Sequence, residues 1–223
     1  MAGIHVEWGP TAAELGARRG DVIVIVDVLS FSTTITEAVA RGATAAVCAP
    51  TQASSDVAPL SPSAMAGVAA GEQLVFTSLN GAACVLAASQ APVVLLGCLR
   101  NRKAVAAAVL EVRADACTIV ACGERWPSIA DVADSLRPGI EDWIGAGAIV
   151  DELVRLGADP SVEAQAAAAL YRACSPPGPW IAGSFSGQEL IGLGRQADVD
   201  LSAEVDVTDA VPRWAAGAFT RLR

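Results

Sequence analysis

The feature that most restricts this chain is a series of short, wholly apolar runs, each followed by an alanine-rich stretch. Val22–Asp27, Thr44–Cys48, Gln73–Thr77, Pro92–Gly97 and Ala116–Cys122 read as strands, and Val22 to Val26 carries no polar residue at all. A strand with one wet face alternates apolar and polar positions. A run that is apolar throughout must be covered on both faces, as in a largely parallel sheet packed between helices. Helices are expected at Thr34–Arg41, Met65–Ala70, Gly81–Ser89 and Arg102–Val112, then at Glu141–Leu156 and Ser161–Cys174. Gly157 can end the first of that last pair in a left-handed cap, and Pro160 can open the second. Ser175-Pro176-Pro177-Gly178-Pro179 breaks the chain again, and a last helix is expected near Ser186. No low-complexity linker or charge block intervenes. Residues 1–223 therefore read as a single domain, at most two intimately packed subdomains, with a three-layer α/β/α architecture around a largely parallel or mixed sheet.

Composition removes several classes of function. With 53% hydrophobic and 17% charged residues the chain is too apolar for disorder. Its longest apolar runs fall far short of the ~18–20 residues of a membrane span. Fifteen basic against 24 acidic side chains give a net charge of −9, which lacks the basic field that nucleic-acid backbones require. The first residues, Met1 to Glu7, show no secretory pattern. The 6 cysteines have no CxxC spacing and are expected as reduced, buried thiols of a cytoplasmic protein. His5, the single histidine, excludes a multi-histidine metal centre.

Four strands run into loops with small or polar residues: Asp27 to Thr34, Thr77 to Gly81, Gly97 to Asn101, and Cys122 to Pro127. In a parallel α/β sheet the carboxyl ends of the strands share one rim, where ligands bind. Asp27 closes the most apolar strand, so a carboxylate stands where a buried strand meets that rim. It suits a hard cation such as Mg²⁺, a nucleophile toward phosphorus, or a residue that merely ties down loop amides. Thr34-Ile35-Thr36-Glu37 fits a capping box, and the amides of a helix start attract anions. The hydroxyls of Ser30, Ser32 and Thr33 could add donors. Asn80-Gly81 combines a side-chain amide with a residue that permits close backbone approach, and Arg100-Asn101 occupies the equivalent place after the next strand. Glu141-Asp142 opens a helix, where the dipole stabilises acids, and either could be a metal ligand or base. Gly145-Ala146-Gly147-Ala148 would let that helix pack closely. Glu124-Arg125 stands in a loop long enough to act as a lid.

Val26-Asp27-Val28-Leu29 with Ser32-Thr33-Thr34-Ile35, then Asn80-Gly81, Gly97-Cys98-Leu99-Arg100-Asn101 and Glu141-Asp142 with Gly145 to Ile149, resembles the 2-phosphosulfolactate phosphatase (ComB-like) family across about residues 20–155. Ser186 to Leu190 through Asp206-Val207 is similar to the family's closing segment. The resemblance implies a three-layer α/β/α fold and a Mg²⁺-dependent phosphatase, with a homodimer as its assembly. The implied reaction takes 2-phospho-3-sulfolactate to 3-sulfolactate and phosphate, a step toward coenzyme M. On this reading Asp27, Glu141 and Asp142 are catalytic residues and metal ligands. Ser30, Ser32, Thr33, Thr34, Ser78, Asn80, Gly81, Arg100, Asn101 and Arg125 would bind a small anionic phosphorylated substrate. The sequence departs from the family at Ser30-Phe31, where Arg-Ala is usual, and at Thr51–Met65, which keeps only Ser61-Pro62 of a longer motif. Arg100, Arg125 and Arg137 are the candidates to replace the missing cation. Two other readings stay open: a non-catalytic anion-binding protein, and a phosphatase for a different phosphorylated acid. On any of them, so acidic a chain is expected to need a divalent cation to hold a small anion.

Overall fold

The computed structural model describes residues 3–53, 56–126 and 136–222. Pro127 and part of the Thr51–Met65 stretch lie outside the described residues. In chain order the elements are β1 (Ile4–Trp8), α1 (Gly9–Arg19), β2 (Val22–Val26), α2 (Phe31–Ala40), β3 (Thr44–Val47), β4 (Gln73–Phe76), α3 (Gly81–Ala87) and β5 (Val93–Gly97). There follow α4 (Arg102–Glu111), β6 (Cys117–Ala121), the short β7 (Glu124–Arg125) and β8 (Leu136–Arg137), α5 (Ile140–Arg155) and α6 (Val162–Ala173). The chain closes with α7 (Gly178–Gly183), α8 (Phe185–Gly192), α9 (Gln196–Ser202), β9 (Pro212–Ala215) and β10 (Ala218–Arg221).

The main sheet has 8 strands in the order β1-β6-β2-β5-β9-β10-β3-β4, and β7 pairs with β8 in a separate ribbon. β2 lies between β6 and β5 and is parallel to both, which places its entire length in the interior. Its alternation decides the layers. Val22, Val24 and Val26 join one apolar cluster with Val105 and Val109 of α4, Ile144 and Ile149 of α5, and Ala164 and Ala168 of α6. Ile23 and Ile25 join a second cluster on the opposite face with Ala13 of α1, Phe31 and Ile35 of α2, and Ala82 and Val85 of α3. Both faces of an apolar strand are therefore dry, and the three-layer α/β/α arrangement read from the sequence is present. The glycines of α5 act as expected: a Cβ on Gly147 would lie 2.0 Å from the Ala167 carbonyl oxygen of α6.

The sheet is mixed. β3 and β4 are parallel to each other but reach the rest through the antiparallel pair β9–β10. The expected strands match the observed ones to within a residue or so at either end. The expected helices fit less uniformly. Met65–Ala70 is instead a 3₁₀ turn at Ser63–Gly67, and the single helix expected near Ser186 is one of three, α7 to α9. The helix expected to start at Thr34 starts at Phe31. It has no Thr34–Glu37 capping box, because Asp27 and Ser30 already take its first amides. The N–H groups of Phe31 and Ser32 donate to Asp27 Oδ1 and Asp27 O, and that of Thr34 donates to Ser30 O.

Candidate active site

The turn after β2 holds its shape through its own hydroxyls. Ser32 Oγ accepts from the Asp27 N–H at 2.9 Å and donates to the Asp27 carbonyl at 2.7 Å. Thr33 Oγ1 donates to Val28 O, and Thr34 Oγ1 donates to Ser30 O. Ser32, Thr33 and Thr34 are all fully buried. Their expected part as phosphate donors is therefore corrected: these hydroxyls are consumed in fastening Asp27 to the start of α2. Ser30 is buried too but lines the cleft, and its hydroxyl donates to Leu60 O at 2.9 Å.

Asp27 opens into a cleft of about 260 Å³ lined by polar groups from several segments: Ser30, Ser78, Asn80, Glu124, Ser186 and Arg195. Leu29, Leu60, Leu190 and Leu193 supply apolar wall, and Glu189 adds another carboxylate. The turn before α3 reaches Asp27 because it has no side chain at Gly81. A Cβ there would meet the Phe31 ring at 2.4 Å and Asp27 Oδ2 at 2.7 Å. Ser78 Oγ accepts the N–H groups of Asn80 and Gly81, each at 3.1 Å, and Asn80 Nδ2 donates to Glu124 Oε2 at 3.3 Å. The amide of Asn80 thus aims the Glu124 carboxylate.

Glu141 and Asp142, at the start of α5, lie behind this cleft. Asp142 is buried, and its two oxygens accept the backbone N–H groups of Val28 (2.7 Å) and Gly123 (2.8 Å). It staples the β2 and β6 loops together. Glu141 Oε1 accepts from Ser186 Oγ at 2.7 Å, which brings the start of α8 to the site.

Burial pushes the Asp27 carboxyl up to about 7, with repulsion from Glu124 and Glu141 adding to it and the Phe31 and Gly81 amides opposing it. Asp142 is raised by burial and then by Asp27 and Glu141. Glu124 is raised by its partial burial and then by Glu141. Asp27 and Glu124 line the cleft with Glu141 and Asp142 buried behind them, and carboxyls raised by burial and by one another are the kind that cluster at functional sites.

Three expected ligands lie elsewhere. Arg100 is buried in an ion network, its Nε donating to Glu37 Oε1 at 2.7 Å and its Nη1 to Leu201 O at 2.9 Å and to Glu204. Asn101 accepts from the Cys98 N–H and donates to Leu96 O and Ala210 O. The loop after β5 is therefore tied to the C-terminal segment, because β9 and the chain leading to it cover that end of the strand. Arg125 donates to Leu79 O at 3.0 Å and, with Arg137, lines a neighbouring depression beside Phe185. Arg137 stacks on Phe185 and Trp126. The cation that does line the cleft is Arg195, which the sequence analysis passed over.

Among the described residues, no group of three or more His, Cys, Asp or Glu side chains is arranged to hold a metal ion. The expected set of Asp27, Glu141 and Asp142 does not form a closed cage. Asp27 and Glu124 fit a different kind of site. Both open on the cleft, both are raised by burial and then by neighbouring negative charge, and Mg²⁺ is commonly bound by about one or two carboxylates with water and substrate phosphate completing its shell.

A sequence profile described as 2-phosphosulpholactate phosphatase matches residues 55–217. The chain belongs to the 2-phosphosulpholactate phosphatase family. A protein of Deinococcus radiodurans named "probable 2-phosphosulfolactate phosphatase" is 33% identical over 154 residues, which cover 68% of this chain and 60% of that protein. A protein of the same name from Carboxydothermus hydrogenoformans is 32% identical over 143 residues, covering 64% of this chain and 55% of that protein. The matched part of this chain thus spans between half and two thirds of the length of either relative. The family profile includes Asn80, Glu124, Glu141, Asp142, Ser186 and Arg195 but begins after Asp27. The central place of Asp27 rests on geometry.

Proposed function

We propose that this protein hydrolyses a small phosphate monoester, 2-phospho-3-sulfolactate, to 3-sulfolactate and inorganic phosphate, and that it does so with Mg²⁺. The observation that carries this reading is the exposure of Asp27, a carboxylate costly to keep ionised, to a small polar cleft in a chain of this family. Asp27 and Glu124 would hold the ion. When bound, it supplies positive charge against the phosphoryl oxygens and offsets the repulsion among the carboxylates.

The chain's own residues position and enclose. Ser78 Oγ already accepts two N–H groups, so its hydroxyl proton is left to donate to a phosphoryl oxygen. Ser30, whose proton is committed to Leu60 O, fixes the wall opposite. Asn80 holds Glu124 in place, and Gly81 lets the turn close on Asp27. Leu29, Leu60, Leu190 and Leu193 limit the water that reaches the ester. In the overall step the oxygen of water bonds to phosphorus, the ester P–O bond breaks, and the departing alkoxide takes a proton, leaving an alcohol and inorganic phosphate.

The test is phosphate release from a panel of phosphomonoesters that includes 2-phospho-3-sulfolactate, with Mg²⁺ and with a chelator. The reading requires release from that substrate above the rest of the panel, abolished by chelation and restored by Mg²⁺. No release from any ester overturns the enzyme reading, and release untouched by chelation overturns the metal.

A further inference from the structure

Arg195 is the only arginine or lysine among the described residues that lines the cleft. It follows Gly194, whose φ of +77° turns the chain sharply between α8 and α9. Its guanidinium is gripped on one side and free on the other. Nε and Nη2 each reach Asp198 Oδ2 at 2.8 Å, and Nη2 also donates to the Leu60 carbonyl. Nη1 has no protein partner among the described residues, and about a third of the side chain is exposed (34%).

The grip is itself built. Asp198 is 2% exposed, and it accepts from Ser61 Oγ through both oxygens (2.8 and 2.9 Å) and from the Ser63 N–H at 2.9 Å. The Leu60 carbonyl that takes the Arg195 donor also takes that of Ser30, in the turn after Asp27. A chain of hydrogen bonds therefore runs from Ser30 through Leu60 to Arg195 and Asp198. A guanidinium whose rotamer is locked by a buried carboxylate, with Nη1 left unpaired on a side chain that lines a cleft, is preorganised to accept an oxyanion.

The cleft is consequently bipolar. Asp27 and Glu124 repel anions unless a cation stands between, whereas Arg195 attracts them directly. A volume near 260 Å³ is smaller than the ~300–1,000 Å³ of drug-sized pockets and suits a molecule of a few carbon atoms. From this arrangement, and resting on the phosphatase reading above, we infer that Arg195 is a specificity-determining residue. It binds the non-reacting oxyanion, a sulfonate or carboxylate, of a small substrate whose phosphate lies toward Asp27.

The test compares wild type, Arg195→Gln and Arg195→Lys on 2-phospho-3-sulfolactate and on phenyl phosphate, which has no second anion. Calorimetric titration with 3-sulfolactate accompanies the kinetics. Loss of a charge-assisted hydrogen bond predicts that Arg195→Gln raises KM for 2-phospho-3-sulfolactate about 10- to 100-fold, with a smaller change on phenyl phosphate. Binding of 3-sulfolactate weakens in parallel, and lysine recovers part of both. Asp198 keeps its Ser61 and Ser63 donors in these variants, so the fold retains its clamp. An equal loss on both esters, or unchanged 3-sulfolactate affinity in Arg195→Gln, overturns the assignment. If the wild type turns over neither ester, the phosphatase reading fails, while the titration still decides whether Arg195 receives the oxyanion.

Discussion

Replacing Asp27 with asparagine removes one charge from the cleft at almost constant volume, and its effect on stability should change with pH. In the folded chain the carboxyl is pushed up to about 7 from an ordinary value of 3.8, chiefly by burial and then by Glu124 and Glu141. Between those two pH values the folded protein holds a proton that the unfolded chain has released. Stability contributed at this site is therefore present in acid and is lost as pH rises from about 4 to about 7. A displacement of some three units corresponds to a ceiling of about 4 kcal/mol. Asparagine forfeits part of that gain. Its single oxygen can serve the Phe31 N–H, but its amide then turns a donor toward the Gly81 N–H, which keeps only Ser78 Oγ; losing that second acceptor costs about 1–2 kcal/mol. Asp27→Asn should therefore be about 2 kcal/mol more stable than wild type at pH 8 and about 1 kcal/mol less stable at pH 4. For a chain of 223 residues, each kcal/mol moves the melting temperature by about 2–4 °C. Thermal and urea unfolding of both proteins across this range, in chelator so that no cation masks the repulsion, gives the measurement. Parallel pH profiles for the two proteins would refute the claim that Asp27 is held against its preference.

Other perturbations separate the cleft from its supports. Gly81→Ala should push the turn off Asp27, since the new methyl would overlap the Phe31 ring; a loss of about 1–3 kcal/mol in thermal unfolding should accompany at least a tenfold fall in phosphate release. Arg100→Met should cost about 1–3 kcal/mol, because buried Glu37 loses one of its two arginine partners and keeps Arg41, while the folded protein keeps its KM; a change in KM would return Arg100 to the site. Mg²⁺ should raise the melting temperature of the wild type at pH 8 and have little effect on Asp27→Asn, because only a ligand of the folded state stabilises by mass action; equal shifts in both would move the ion away from Asp27.

The architecture was legible where one local signal had one meaning. Val22 to Val26 has no polar position, so its burial on both faces followed from composition, and Asp27 at its end followed as a rim residue. His5 and Glu7 interrupt β1, the end strand of the sheet, where Ile4 and Val6 are buried and His5 and Glu7 are not. Its alternation of apolar and polar residues differs from the wholly apolar pattern of β2. The hairpin β9–β10 carried a readable signal that went unused. Ala216-Gly217 connects the strands with φ of +50° and +87°, the left-handed pair that a two-residue hairpin requires. The site was half legible for a physical reason. Hydroxyls at a helix start look alike in sequence whether they face a ligand or, like Ser32 and Thr33, close on their own backbone. Arg195 gave no signal of its own, because nothing local distinguishes an arginine after a helix-ending glycine from one in solvent. Only the fold brings it against Leu60 and Ser30.

If the phosphate ester is broken in the cleft at Asp27, that one carboxylate decides turnover. The direct measurement is kcat/KM for 2-phospho-3-sulfolactate with Mg²⁺, wild type against Asp27→Asn, on protein shown to be folded by its unfolding curve. The expected loss is at least about a thousandfold, some 4 kcal/mol of transition-state stabilisation, in a variant that is no less stable at the assay pH of 8. Turnover by Asp27→Asn within a few-fold of wild type would contradict it.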